Sequence, residues 1–222
     1  MPYYDFYYVP VDEIPDISPC ELDTLWELIA SDRFRYYVEV GVGHLGTLLH
    51  IAARVKKSGL ACRCIGIDAF GELPEDVQGN NSHQGDVISL SDAENFLASR
   101  GLGEVVALHQ GDSAAVLDNI LSPIKGAPKL IFIDANHTYE GCRADFEAAD
   151  RHLRGGDILV FHDTLPAQHP DYGRGPCGVV EDCLLSNAHY RPLMMPPEGT
   201  SLNDSVNTMS LFERVSSRPA PE

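Results

Sequence analysis

The chain has 222 residues, of which 44% are apolar and 22% charged, a composition typical of a globular protein with one sizeable core. Its 33 acidic side chains outnumber its 16 basic ones, and the resulting net charge of −17 disfavours binding to nucleic acids and anionic membranes. No apolar run is long enough to span a membrane, and the first residues lack the pattern of a signal peptide. The sequence therefore predicts a cytoplasmic protein that acts on a small molecule.

Residues 1–17 are predicted to form an aromatic arm outside the folded domain, and residues 18–222 a single domain. The arm has five aromatic side chains within its first eight positions, and two prolines that disfavour regular structure follow them. We expect the arm to dock on its own domain or on a sister subunit of a homodimer. A lid over the substrate is the alternative.

Helices and strands are predicted to alternate along the rest of the chain. Ser18 and Glu21 form a capping box around a helix start. Strands are predicted at 36–40, 61–67, 105–108, 130–133 and 158–161. Helices are predicted at 47–57, from a cap at Ser91 to Gly101, at 114–121 and at 139–153. Because such alternation builds right-handed βαβ units, the pattern predicts an α/β fold with a parallel sheet.

The C-terminal segment has a different pattern. A helical stretch at 179–186 is followed by two strands, at 190–194 and 209–215, without an obvious helix between them. This arrangement indicates an antiparallel pair of strands at one edge of the sheet. Six cysteines lie along the chain without a Cys-x-x-Cys pair, so we expect reduced structural thiols rather than zinc ligands or disulfides.

A glycine-rich turn follows the first predicted strand. Gly41, Gly43 and Gly46 have the spacing of a dinucleotide fingerprint, and the helix that begins near Thr47 offers free N–H groups to a ligand. Asp68 ends the second strand, where a carboxylate accepts hydrogen bonds from ribose hydroxyls. An ordinary strand-to-helix turn with an exposed Asp68 is the alternative interpretation.

Glu39 lies just before these glycines, inside the end of the strand. A buried carboxylate is costly unless it is hydrogen-bonded, and it would repel a pyrophosphate. Glu39 therefore favours an adenosine that carries an amino acid, whose ammonium group it could bind, although the amides of the loop could also satisfy it. Asp112 and Ser113 follow the third strand and could bond an adenine amino group, or one of them could cap the next helix.

Acidic and imidazole side chains end two further strands. Asp134 follows strand 130–133, and His162 and Asp163 follow strand 158–161. If these strands are neighbours, the three side chains emerge side by side, and a divalent cation such as Mg²⁺ or Mn²⁺ would relieve the repulsion between the carboxylates. The alternative is a helix cap at Asp134 and a solvated turn at His162 and Asp163.

His137 follows Asp134 by three positions and is a candidate general base, because the ordinary pKa of histidine is about 6.5. A capping or packing role is the alternative. The segments at 71–89 and 164–177 are long and polar, so we expect them to form walls of an acceptor site.

Together these segments resemble the class I S-adenosylmethionine-dependent methyltransferases. More narrowly they are similar to a small bacterial group of metal-dependent O-methyltransferases that includes macrolide-sugar O-methyltransferases and cephalosporin-biosynthesis methyltransferase-like proteins. The matching segments are 39–46, 66–71, 132–140 and 153–163, and their order and spacing are more specific than any one of them. The resemblance implies a Rossmann-like three-layer fold with seven strands and an antiparallel C-terminal hairpin.

The resemblance also implies roles for the candidate residues. Those expected to hold S-adenosylmethionine are Glu39, Gly41, Gly43, Gly46, Thr47 and Asp68, with Asp112 and Ser113 near the adenine. Asp134 and Asp163 are expected to bind a divalent cation together with His162, and Asp134 and His137 are the expected catalytic residues. Sugar-modifying relatives usually have an acid in place of His162, so His162 favours softer ions or acts as a base instead.

The expected reaction is methyl transfer to a hydroxyl of a small molecule, with a sugar or natural product favoured and a catechol-like phenol as another fit. An NAD-dependent oxidoreductase would share the glycine turn and Asp68. It would leave the facing pair of Asp134 and Asp163 unexplained, and the chain has no Tyr-x-x-x-Lys pair. A non-catalytic adenosine-binding relative is the second alternative.

Overall fold

The computed structural model describes residues 17–71, 88–165, 174–197 and 207–215, which form one seven-stranded sheet with helices on both faces. The helices are α1 (Pro19–Ala30), α2 (Gly46–Ser58), α3 (Leu90–Ser99), α4 (Ser113–Leu121), α5 (Tyr139–Asp150) and α6 (Gly175–Val179), which continues as a π-helix over Val180–Leu184. The strands are β1 (Tyr36–Val40), β2 (Arg63–Asp68), β3 (Val106–Gln110), β4 (Lys129–Ile133), β5 (Ile158–Phe161), β6 (Tyr190–Met194) and β7 (Ser210–Arg214).

The strand order is β3-β2-β1-β4-β5-β7-β6. Strands β1 to β5 are parallel, whereas β7 runs antiparallel to both β5 and β6. The predicted fold class, a Rossmann-like α/β fold with an antiparallel C-terminal hairpin, is therefore confirmed. From β1 the sheet is extended first on one side, by β2 and β3, and then on the other, by β4 and β5. In such sheets ligands bind at the carboxyl ends of the strands beside the point where the order reverses, here between β1 and β4.

The core consists of two apolar clusters, one on each face of the sheet. Neighbouring strand residues point to opposite faces, so Tyr37 joins the cluster under α1, α2 and α3 while Val38 joins the cluster under α4, α5 and α6. Cys62 and Cys64 pack in the first cluster, as the sequence predicted, whereas Cys20 is exposed.

Two helix starts test the capping predictions. At α1 the Ser18 hydroxyl accepts the N–H of Glu21, and the Glu21 carboxylate accepts the N–H of Ser18, which confirms the capping box. At α3 the predicted cap is wrong. The helix begins two residues earlier, because the hydroxyl of Ser89, rather than Ser91, accepts the N–H of Asp92.

The arm at 1–16 and most of the two polar segments, at 72–87 and 166–173, lie outside the described residues. Among the helices that the structure describes, none combines the length and apolarity that crossing a bilayer requires.

The helices α4 and α5 are joined by a buried hydrogen bond. The Ser113 hydroxyl donates to Oδ1 of Asp145 over 2.5 Å, and Asp145 is 1% exposed. Burial raises the pKa of Asp145 to about 6, and the Ser113 hydroxyl opposes this shift only in part. The folded protein therefore carries a carboxyl group that ionises at a higher pH than in the unfolded chain.

This raised pKa predicts a pH-dependent effect of Asp145→Asn. Between about pH 4 and pH 6 the folded state binds more protons than the unfolded state, so the wild-type protein loses stability as the pH rises. The variant lacks this loss, and its free energy of unfolding relative to wild type should increase by roughly 1 kcal/mol from pH 5 to pH 7.5. Urea unfolding at the two pH values measures the difference.

Asp118→Asn is the matched control. Hydrogen bonds from Arg151 and His152 lower the pKa of the exposed Asp118 to about 2, so its titration affects stability only between about pH 2 and pH 4, and the stability of this variant relative to wild type should not change between pH 5 and pH 7.5. A difference between Asp145→Asn and wild type that does not change with pH would contradict the interpretation.

Candidate active site

The glycine turn between β1 and α2 is packed against the chain that leaves β4. Gly41 has φ +84° and Gly43 has φ +47°, the left-handed region that favours glycine. A Cβ atom at Gly41 would lie 2.2 Å from the carbonyl oxygen of Asp134 and 2.6 Å from Cα of Ala135. Gly41 is therefore required both by its backbone conformation and by the lack of space for a side chain.

Asp68 holds this turn in place. Its Oδ2 atom accepts the backbone N–H groups of Val42 over 2.9 Å and Gly43 over 3.1 Å, and its Oδ1 atom accepts that of Phe70 over 3.1 Å. A carboxylate offers about four acceptor positions, of which these contacts use three. The structure thus gives Asp68 a local role that sequence reasoning missed, and the predicted ribose contact remains a prediction.

Glu39 is 2% exposed and accepts a 2.5 Å hydrogen bond from the hydroxyl of Tyr37. Burial and the neighbouring carboxylate raise the pKa of Tyr37, which keeps this hydroxyl a donor. Tyr37 was not among the predicted site residues. The signal was present, since residues two apart on a strand share a face.

The residues after β1 and β3 begin helices. Gly46 and Thr47 open α2, whose N-cap residue, Leu45, has an apolar side chain that cannot accept hydrogen bonds from the first turn. Asp112 caps α4 by accepting the N–H of Ala115 over 3.0 Å, and the Ser113 hydroxyl is directed to Asp145. Asp112 therefore has the capping role that was the alternative prediction, and its contact with adenine remains a prediction.

The polar side chains after β4 and β5 lie together, as the parallel-strand argument predicts. Ile133 pairs with Phe161, so the residues that follow them meet at the same edge of the sheet. The group consists of Asp134, His137, His162 and Asp163, each of which offers one ligand atom within 4.8 Å of all the others. We call these four residues the Asp/His cluster. The cap of α5 is Thr138 rather than Asp134, which removes one alternative role for Asp134.

Short contacts connect the Asp/His cluster. His162 Nδ1 lies 3.0 Å from Oδ1 of Asp134, while His137 Nε2 lies 3.1 Å from Oδ2 of Asp163 and 3.3 Å from Oδ1 of Asp134. Asp163 has φ +52°, a strained conformation for a residue with a side chain and one that is concentrated at functional sites.

The two histidines and two aspartates adjust one another's ionisation. Burial alone would lower the pKa of His137, but Asp134 and Asp163 outweigh it and raise the pKa to about 9. Burial also opposes the charge on His162, yet Asp134 holds its pKa well above the usual value. Asp134 is half-buried, which opposes its ionisation, but the two imidazoles lower its pKa. The neighbouring carboxylates thus favour the protonated form of both imidazoles.

Glu21 is a further member of this region that sequence reasoning assigned only to a helix cap. It is 2% exposed, and its Oε1 atom lies 3.7 Å from Nε2 of His162. Burial opposes its ionisation, but His162 and the N–H groups of Thr208 and Ser18 lower its pKa to about 2. No local pattern could have revealed the contacts of Glu21, since its partner Thr208, for example, is 187 positions away in the chain.

Comparisons with known proteins agree with the fold. A family model described as a methyltransferase domain matches residues 38–164. A search of curated proteins found no similar sequence. Among solved structures, the chain is similar to the O-methyltransferase TomG from Streptomyces achromogenes, which is involved in Tomaymycin synthesis and was solved with SAM. The identity is 18%, the TM-score is 0.63, and the match covers 90% of this chain and 82% of TomG.

Two other solved structures have the same fold. An O-methyltransferase from Bacillus cereus in complex with SAH is 16% identical, with a TM-score of 0.60 and coverage of 93% of this chain and 84% of the other. The calicheamicin methyltransferase CalS11 is 19% identical, with a TM-score of 0.58 and coverage of 87% and 77%. At these identities the similarity establishes the fold.

The packing of the glycine turn predicts different effects of two alanine substitutions. Gly59→Ala is the matched control, because Gly59 has φ +66° but nothing within 4 Å of the added Cβ. It should cost roughly 1–2 kcal/mol of stability for the left-handed backbone alone. Gly41→Ala must in addition displace the backbone of Asp134, so its loss in urea unfolding should exceed that of the control by at least ~2 kcal/mol. Equal losses would contradict the close packing.

Proposed function

This chain belongs to the methyltransferase domain family, and from that premise we propose that it is an S-adenosylmethionine-dependent O-methyltransferase assisted by a divalent cation. The observation that carries the proposal is the position of the Asp/His cluster directly against the glycine turn. TomG and CalS11 act in the synthesis of natural products. We therefore propose a hydroxyl of a sugar or another natural product as the acceptor.

We propose that the cofactor binds between β1, β2 and α2. Bound S-adenosylmethionine would supply the methyl group as an electrophile. We propose that Asp68 accepts the ribose hydroxyls, that Glu39 attracts the ammonium group, and that the N–H groups at Gly46 and Thr47, at the start of α2, face the ligand. Asp112 is the residue that we propose near the adenine.

The donor atoms of the Asp/His cluster fit a divalent cation. Carboxylate oxygens of Asp134 and Asp163 and the Nδ1 atom of His162 form a mixed oxygen and nitrogen set, which suits Mn²⁺ and related ions better than Mg²⁺. A cation held by these residues would stabilise negative charge that develops on the acceptor oxygen. It would also replace the protons that otherwise balance the two carboxylates.

We assign the role of general base to the imidazole of His137. Its side chain is 22% exposed, compared with 10% for His162, so more of this ring is open to an acceptor, although its Nε2 atom is buried against Asp134 and Asp163. Contacts with Asp134 and Asp163 hold its ring in one orientation. A positioned base of this kind contributes about 10²–10⁴-fold to the rate.

Ligand-dependent melting tests the proposed cofactor. S-Adenosylhomocysteine at 100 times its Kd should stabilise the protein by ~2.7 kcal/mol and raise Tm by roughly 5–10 °C, because it binds only the folded state. NAD at the same concentration is the control and should leave Tm unchanged. A shift with NAD alone would support the oxidoreductase alternative and contradict the methyltransferase proposal.

Substitutions in the Asp/His cluster separate the base from the cation ligands. His137→Gln should lower kcat at least ~100-fold and leave the Mn²⁺ affinity within about threefold of wild type, because a base is not a ligand. Asp134→Asn should lose both turnover and Mn²⁺ binding. Turnover is measured as S-adenosylhomocysteine release with glycosylated natural products and catechols as acceptors, and Mn²⁺ binding by calorimetry. If His137→Gln abolishes Mn²⁺ binding as Asp134→Asn does, the base assignment is wrong.

A further inference from the structure

The imidazole of His162 is bounded by acidic side chains at both of its nitrogen atoms. Its Nδ1 atom lies 3.0 Å from Oδ1 of Asp134 and 3.5 Å from Oδ1 of Asp163. On the other side of the ring, Nε2 lies 3.7 Å from Oε1 of Glu21. Phe132 packs edge-on against the ring at 5.9 Å between centroids. These four contacts together hold the His162 ring in one orientation.

Glu21 is held in position by groups other than His162. Its Oε2 atom accepts the N–H of Ser18 over 2.8 Å, and its Oε1 atom accepts the backbone N–H and the hydroxyl of Thr208 over 2.6 and 2.8 Å. These donors belong to the start of α1 and to the segment before β7. Because its position does not depend on His162, Glu21 provides a preformed negative charge beside Nε2.

A neutral imidazole carries a single proton, on one nitrogen or the other. When a cation neutralises Asp134 and Asp163 on the Nδ1 side, the Glu21 carboxylate beside Nε2 favours the tautomer with the proton on Nε2, which leaves the lone pair of Nδ1 to bind the cation. Histidines that bind metal ions nearly always direct their other ring N–H to a carboxylate, a carbonyl or water, and loss of that partner typically costs 10–100-fold in metal affinity or activity.

We propose that Glu21 is a positioning residue that selects the Nε2–H tautomer of His162 and so makes Nδ1 a ligand for a divalent cation. This inference rests on the proposed function, because it requires a cation at the Asp/His cluster. It adds α1, which carries none of the cluster residues, to the elements that determine cation binding. It also distinguishes His162, as a ligand, from His137, as the base.

Co²⁺ binding to the full-length protein tests the role of Glu21. In Glu21→Gln the side chain keeps its size but loses its charge and one carboxylate oxygen. We expect the Kd for Co²⁺, measured by calorimetry, to increase about 10–100-fold. The proton NMR spectrum of the Co²⁺-loaded wild-type protein should contain a hyperfine-shifted, solvent-exchangeable N–H signal from His162, and this signal should be lost in Glu21→Gln.

Ser18→Ala is the matched control for damage to α1. It removes the Ser18 hydroxyl from the same capping box but leaves the Glu21 carboxylate and the backbone N–H of Ser18 in place. We expect a lower Tm with a Co²⁺ affinity within about threefold of wild type. If Glu21→Gln does not fold, Glu21→Asp replaces it, because it keeps the charge and withdraws the carboxylate from His162. We expect the same loss of affinity and of the N–H signal.

Three results would overturn the proposal. Unchanged Co²⁺ affinity and an unchanged N–H signal in the Glu21 variant would show that His162 needs no such partner. An equal loss of affinity in Ser18→Ala would show that only the stability of α1 matters. Failure of the wild-type protein to bind Co²⁺ would remove the cation site itself, and with it both this inference and the cation part of the proposed function.

Discussion

The direct contact between the glycine turn and the end of β4 is the constraint on which the whole site depends. The N–H of Asp134 donates to the carbonyl of Val40 over 2.8 Å, and Gly41 leaves no room for a side chain between the two segments. The segment expected to hold a cofactor and the segment that carries the Asp/His cluster are therefore parts of one packed unit. Their spacing is a property of the sheet, since adjacent parallel strands set it.

Strands β4 and β5 are connected by ionic contacts at both ends. At their start, Lys129 and Asp157 form a fully buried 2.9 Å ion pair, in which Asp157 also accepts the N–H of Lys129. At their carboxyl ends, Asp134 and His162 meet at 3.0 Å. A buried charge is tolerated only when it is paired, so these contacts oppose any shift of one strand along the other. Such a register shift would separate the Asp/His cluster.

Three buried or half-buried carboxylates, those of Glu21, Asp134 and Asp163, surround His162 in this acidic protein, whose net charge is −17. An acidic side chain at position 162 would face both Glu21 and Asp134 without a positive charge between them. The His162 imidazole and the Glu21 carboxylate favour opposite charges, so each makes the other less costly to bury.

The sequence by itself determined the alternation of helices and strands, the C-terminal hairpin and the placement of Asp134, His162 and Asp163 at one edge of the sheet. These features follow from local periodicity and from the rule that parallel strands end at one edge of the sheet. The cap of α3 marks the limit of local reasoning, because Ser89 and Ser91 both have an acid three residues later and only packing chooses between them.

Only the tertiary structure decided which side chains complete each site. The contact of Glu21 with His162 joins residues far apart in the chain. The sequence indicated a ligand-binding role for Asp68, whereas in the structure Asp68 also holds the glycine turn. The physical reason is that a periodic pattern specifies which face of an element is buried, whereas the partner of a buried polar group depends on how separate elements pack against one another.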